Sequence, residues 1–345
     1  MKRIARKWKG LRRALVGLAR RAEEEERITS FPGMAPWDPA RPGPLSSSAE
    51  PRWLGAIARK GGLGPFENQP PPARLLVDPP PVALGEELLL GQRLADLVAR
   101  DPLPIPSTAD REGYSDDRHF EWWCTGLRDY LWLRRALVRH GGPLAPGDGV
   151  LELGCSTGRV LRHLVFQAEG LRVHGADINL RNVEWLRTFL PQRVRVFQNT
   201  TLPHLPLEDR SLALVCAYSV FTHIDELEAA WLSELHRVLR PGGFAVLTVH
   251  SEHTWRALRP GIPLHDSLLA MRDHIPDYRV TPQLFAGPLP SPRTVFWWDT
   301  AESYNCSVFH AHEYLRSAWG RFFEVCEIAV AAHSYQDVVV LRRPS

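Results

Sequence analysis

The chain has 345 residues, a formal net charge of +3, 44% hydrophobic and 23% charged residues. It can bury a full core, and its charge is too small to imply a nucleic-acid partner. Its five cysteines (Cys124, Cys155, Cys216, Cys306 and Cys326) form no C-x-x-C pair, which argues against a disulfide framework or a zinc site and for a reducing cytoplasm.

Residues 1–21 hold nine Lys/Arg and no acid. Ile4, Trp8, Leu11, Leu15 and Leu18 fall on one helical face, giving a basic amphipathic helix. Such a helix either packs on its own protein or makes peripheral contact with an anionic membrane. No apolar run nears the roughly 20 residues that span a bilayer, and no secretory signal is recognisable. Lys occurs only at positions 2, 7, 9 and 60, all other basic residues being Arg. That usage fits a GC-rich bacterial genome.

Six prolines and a serine triplet make residues 31–51 an irregular linker. A short helix is expected over 84–100 and an aromatic-rich one over 117–140. The chain thus divides into an N-terminal extension, 1–105, and a domain, 106–345. From 148 onward strands and helices alternate. Strands are expected at 149–154, 171–177, 193–198, 211–218, 243–250, 322–331 and 335–342, and helices near 158–168, 180–190, 225–239 and 311–319. The pattern predicts an α/β fold, a Rossmann-like doubly wound sheet of about seven strands. The short HSYQ connection makes the last strand antiparallel.

The stretch VLELGCSTG (150–158) opens that domain. The absence of Gly-Lys-Ser/Thr after it excludes a phosphate-binding P-loop, and the spacing does not fit the dinucleotide pattern G-x-G-x-x-G. It does fit E/D-x-G-x-G-x-G, with Glu152, Gly154 and Gly158 present and Ser156 in the middle glycine slot. Asp177, ending the second strand in GADIN, can take a ribose diol or cap the next helix, a role Asn179 could also fill. With LPLEDRSLALVCAYSVFTHI and ELHRVLRPGGFAVLTVH following in order, residues 106–345 resemble the class I S-adenosylmethionine-dependent methyltransferases.

The resemblance implies S-adenosyl-L-methionine as cofactor. It implies that Glu152, Gly154, Cys155, Ser156 and Gly158 hold its methionine end, and Asp177 its ribose. Ile178 would stack on adenine, and Asn199, Thr200 or Thr201 would meet the adenine edge. Ser156 in a glycine slot is tolerable with negative φ or with its hydroxyl on the ligand. Ala213 stands where the family usually has Asp.

Methyl transfer to a hydroxyl or amine needs a base. His223 and Asp225 after the fourth strand, and His250 ending the fifth, are the candidates; Asp225 could instead cap the next helix. Between strands five and six lies a 60-residue insertion, 251–310, whose aromatic stretch could form a substrate lid. Trp297, Trp298, Tyr304 and His310 are its candidate wall, or simply its packing. His310 and His312 lack a third ligand, so no metal is expected.

The sequence thus points to a methyltransferase acting on a small molecule or glycan. The alternative is a cofactor-binding but catalytically silent module. The expected location is cytoplasmic, with membrane association if residues 1–21 touch a bilayer. Oligomeric state is not encoded in any of these signals.

Overall fold

This computed structural model of the protein describes residues 65–275, 278–297 and 306–345. The expected basic helix over 1–21, the linker over 31–51, Trp298 and Tyr304 lie outside the described residues.

Strand β1 (Asn68–Gln69) pairs antiparallel with β2 (Ile105–Pro106). The boundary expected at 105/106 therefore falls inside a strand pair, and residues 65–105 pack on the body they were expected to precede. The helix expected over 84–100 is two helices, α1 (Glu86–Leu89) and α2 (Leu94–Ala99). Leu90 caps α1 in the left-handed region at φ 52 and Gly91 follows at φ 77, which turns the chain out of the helix. The aromatic-rich helix is α3 (His119–Arg139), burying Phe120, Trp123, Leu127, Tyr130, Leu131 and Leu137 along one stripe.

The main sheet contains β3 (Gly149–Leu153), β4 (Arg172–Asp177), β5 (Arg195–Gln198), β6 (Leu212–Ala217), β7 (Leu239–Ser251), β10 (Glu324–His333) and β11 (Gln336–Arg342), in the spatial order β10-β11-β7-β6-β3-β4-β5. Strands β3 to β7 are parallel, and β11 runs antiparallel between β7 and β10. The order reverses at β3, whose neighbours are β4 on one side and β6 on the other. In open α/β sheets ligands bind beyond the carboxyl ends of the strands at such a point.

Alternating residues of each strand serve two cores. Val150, Val173, Leu214 and Val246 meet α3, α4 (Leu161–Phe166) and α5 (Leu180–Phe189) on one face. Leu151, Ala176, Val215 and Leu247 meet α6 (Glu228–Val238) and α10 (His312–Ala318) on the other. Burial on both faces explains why these strands read as continuous apolar runs.

The insertion is more ordered than its composition suggests. It holds α7 (Glu252–Ala257), α8 (Pro263–Ala270), α9 (Pro282–Ala286) and an antiparallel pair, β8 (Arg293–Trp297) and β9 (Cys306–His310). Strand β9 adds in parallel to the last residues of β7 (His250↔Phe309), so the sheet has nine strands where seven were expected. Trp255, Phe285, Phe296 and Phe309 give the insertion its own small core.

Candidate functional site

The turn after β3 is shaped by three left-handed residues, Gly154 (φ 70), Ser156 (φ 46) and Gly158 (φ 85). Of the two ways in which Ser156 could tolerate a glycine slot, the negative φ is therefore excluded. A serine accepts this conformation here because its N–H is committed, donating to Asp177 Oδ2 at 2.7 Å. The N–H groups of Gly154 and Cys155 both donate to the Ala176 carbonyl, which lashes the turn to the end of β4. At Gly154 a Cβ would stand 2.3 Å from Val220 Cγ2, so close packing requires glycine as well. Cys155 is buried, and burial holds its thiol far above the ordinary range.

Asp177 is buried and accepts three bonds, from the backbone N–H of Ser156 and Asn179 and from Asn182 Nδ2. Burial raises its carboxyl to about 6 against the pull of those donors. The helix cap is Asn179, whose side chain accepts from the Arg181 N–H, so Asp177 is not the cap. Ile178 beside it is half-buried.

Two neighbours are conspicuous for what they lack. Glu152 is buried, with no partner for Oε2, and burial pushes its carboxyl up to about 8 despite nearby Arg159. Asn199 donates from Nδ2 to the Thr200 carbonyl, leaving Oδ1 buried and without a partner. Thr200 Oγ1 accepts from the Leu202 N–H, and the Thr201 carbonyl accepts from Trp231 Nε1. Glu152, Asp177 and Asn199 therefore line the ends of β3, β4 and β5 as three acceptors, two of them with an idle oxygen. Burying an unpaired polar atom costs about 1–3 kcal/mol, so such a row is suited to a ligand rich in donors.

The three candidate bases part company. His223 donates from Nδ1 to the Cys306 carbonyl at 2.7 Å, which makes Nε2 its basic nitrogen when neutral. Asp225 does not cap α6, whose N-cap is Leu227. It instead pairs with Arg293 of β8 at 2.9 Å. His250 is only 2% exposed, its ring tilted against Phe309 and stacked near Tyr335. Burial, aided by His223 and His310, drives His250 well below the ordinary histidine range, so it is neutral.

Of the expected substrate wall, Trp297 is 39% exposed at the end of β8. His310 is fully buried and bonded through Nε2 to Glu228 at 2.6 Å. It belongs to the packing of the insertion and not to an open wall. Glu228 also accepts from Arg293, Tyr314 and Trp319, and although burial opposes it, His310 foremost, then Arg293 and Trp319, hold its carboxyl down to about 2. Among the described residues no cluster of three or more His, Cys, Asp or Glu could hold a metal.

The sequence reading missed a second polar group beside the turn. Arg159 follows Gly158 and donates to Asp129 of α3 at 2.5 Å, and His333 Nδ1 lies 3.1 Å from the same oxygen. Tyr218, just past β6, has Arg159 on one side and His333 against its ring. The signal for Arg159 was its adjacency to the glycine turn. Asp129 sat unmarked in a helical pattern, and His333 in the HSYQ turn was read only as a connection.

Residues 151–247 match the family described as "Methyltransferase domain". A sterol 24-C-methyltransferase of Gibberella zeae is 32% identical over 142 residues, covering 38% of this chain and 36% of that one. A Mycolicibacterium smegmatis protein named as a probable S-adenosylmethionine-dependent methyltransferase is 34% identical over 138 residues, covering 39% and 52%. The chain thus spans about a third to a half of the length of these curated relatives. Among solved structures, the PH0226 protein of Pyrococcus horikoshii aligns at 17% identity with a TM-score of 0.43, covering 67% of this chain and 94% of that one.

Proposed function

We propose, from the match of residues 151–247 to the methyltransferase-domain family and the likeness to a probable S-adenosylmethionine-dependent methyltransferase, that this chain transfers a methyl group to a hydroxyl or amine of a small molecule or glycan. The observation that carries the proposal is the row of acceptors at the strand ends. An α-ammonium, a ribose diol and an exocyclic adenine amine are donors in the same linear order as Glu152 Oε2, Asp177 and Asn199 Oδ1.

In this reading Glu152 takes the ammonium, and the turn from Gly154 through Cys155 and Ser156 to Gly158 lies along the methionine end. Asp177 accepts from the ribose after exchanging an internal donor. Ile178 packs on the adenine, and Asn199, with Thr200 beside it, meets the adenine edge. The cofactor supplies an electrophilic methyl on a sulfonium; the acceptor's lone pair forms the new bond while the C–S pair leaves on sulfur. The protein's task is alignment, worth up to about 7–11 kcal/mol in favourable cases, and removal of the acceptor's proton. His223 Nε2 is the strand-end base that the sequence nominates.

Ala213, the departure that favours a silent module, lies at the amino end of β6, away from the strand ends that form the site. It bears on sheet packing and not on chemistry. The net charge of +3 supports an acceptor other than nucleic acid. The unpaired cysteines and arginine-dominated basic residues support a bacterial, cytoplasmic setting. The nine Lys/Arg of residues 1–21 support peripheral contact with anionic lipid, and no described helix is long and apolar enough to cross a membrane.

The test is label transfer from methyl-tritiated S-adenosylmethionine to fractionated metabolites and glycans of the source cell. The proposal expects a labelled small molecule or glycan. Binding of the cofactor with no labelled product in any fraction would return the silent module.

A further inference from the structure

The geometry points to His333, oriented by Asp129, as the group that takes the acceptor's proton; this rests on the methyl-transfer reading above. Four elements converge to build the pair. Asp129 comes from α3, which approaches the turn closely because Gly126 has no side chain: a Cβ there would stand 1.9 Å from the Arg159 carbonyl oxygen. Arg159 comes from the turn itself, Tyr218 from the end of β6, and His333 from the tip of the β10–β11 hairpin.

The hairpin tip is shaped for this placement. Ala331 and Ser334 on either side of His333 are left-handed at φ 51 and 56, and the ladder slips register between Ala329 and His333. Non-glycine residues adopt that conformation at a cost, and such outliers cluster at functional sites. Asp129 is fully buried, and although burial opposes ionisation, His333 and Arg159 hold its carboxyl well below the usual range. The His333 nitrogen beside it, Nδ1, stands 3.1 Å from Asp129 Oδ2 without completing a hydrogen bond, so the pairing is electrostatic and Nε2 is the nitrogen farther from the carboxylate, the one left to act as base. The imidazole is partly exposed, at 14% of its side chain, whereas His250 is sealed.

The position is the decisive point. The same Asp129 oxygen meets Arg159, the residue that follows the glycine turn, and Tyr218 directly follows the strand next to β3. The dyad therefore stands over the switch point, while His223 is tied to the insertion through Cys306. As the acceptor oxygen or nitrogen bonds to the methyl carbon and the C–S pair goes to sulfur, the acceptor's proton passes to His333 Nε2. The product is a methylated acceptor, a thioether and an imidazolium held by Asp129.

The charge of the methyl donor gives a test that needs no acceptor. S-adenosylmethionine carries a sulfonium, and S-adenosylhomocysteine a neutral thioether. Histidine proton resonances of the full chain are titrated in saturated complexes with each, His333 being assigned by its loss in His333→Asn. The groups that face His333 are Asp129, Arg159, Tyr218 and, across the carboxylate, Arg128. They are common to both complexes, so their effects cancel.

His333 is expected to titrate lower with the sulfonium than with the thioether, by roughly one pH unit. A histidine that only fastens the hairpin, far from the methyl, would titrate alike in both. Equal midpoints, or a shift at His223 in place of His333, would overturn it. Failure of both ligands to bind would overturn the methyl-transfer reading itself, a different outcome from either.

Discussion

Glu152 buries a carboxyl whose Oε2 meets no donor of the protein, and on the proposed reading a cofactor ammonium would supply one. Its buried carboxyl, raised from 4.5 to about 8, favours the protonated form in the ligand-free fold. Its contribution to folding is therefore fully present below about 4.5 and is lost as pH rises through about 8. An ammonium placed beside Oε2 reverses that preference, so binding of S-adenosylhomocysteine near pH 7 should release about one proton. Calorimetry in two buffers of different ionisation heat reads this directly. Glu152→Gln should abolish the buffer dependence and weaken binding about 10- to 100-fold, the loss of a charged hydrogen bond. A buffer-independent heat in the unaltered protein would contradict the assignment. The sequence offered Glu152 and Asp177 through spacing alone, since the strand–turn–strand frame is local. It could not offer the left-handed φ of Ser156, which depends on a bond to a residue 21 positions away.

Among the elements, the insertion is held by charge as much as by its own core. Glu228, at the start of α6, gathers His310 from β9, Arg293 from β8, and Tyr314 and Trp319 from the α10 region. Removing one partner of a buried ionic group leaves the rest uncompensated, at about 3–5 kcal/mol. Glu228→Ala should lower the unfolding free energy by that amount in a urea titration, and a loss under about 1 kcal/mol would mean the cluster is not sealed. Because donors hold Glu228 down to about 2, its contribution is present above 4.5 and lost as pH falls from there toward about 2. This clamp was illegible in sequence: its members are separated by up to 91 residues. His310 consequently reads as either binding wall or packing, and Asp225 as either cap or base. By contrast, the helices at 180–190 and 311–319 and the strands of the main sheet were legible to within a few residues, because periodic burial leaves a local imprint.

At the scale of the molecule, the strand order places three acceptors side by side at one edge of the sheet while a hairpin tip and α3 close the other side. Nothing in composition dictates that closure; it follows from β11 returning antiparallel to β7, which brings His333 and Gln336 to the carboxyl ends. The seven-strand frame was readable from alternation and the RPGG entry into β7. The two added strands were not, since an aromatic, proline-rich stretch carries no clear period. On the proposed reading this edge binds a sulfonium cofactor and not a dinucleotide. Calorimetric titration of the full chain with S-adenosylhomocysteine, and separately with NAD, tests it most directly. Saturable one-to-one binding of S-adenosylhomocysteine and no heat with NAD are expected; binding of NAD with none of S-adenosylhomocysteine would contradict the sulfonium-cofactor reading.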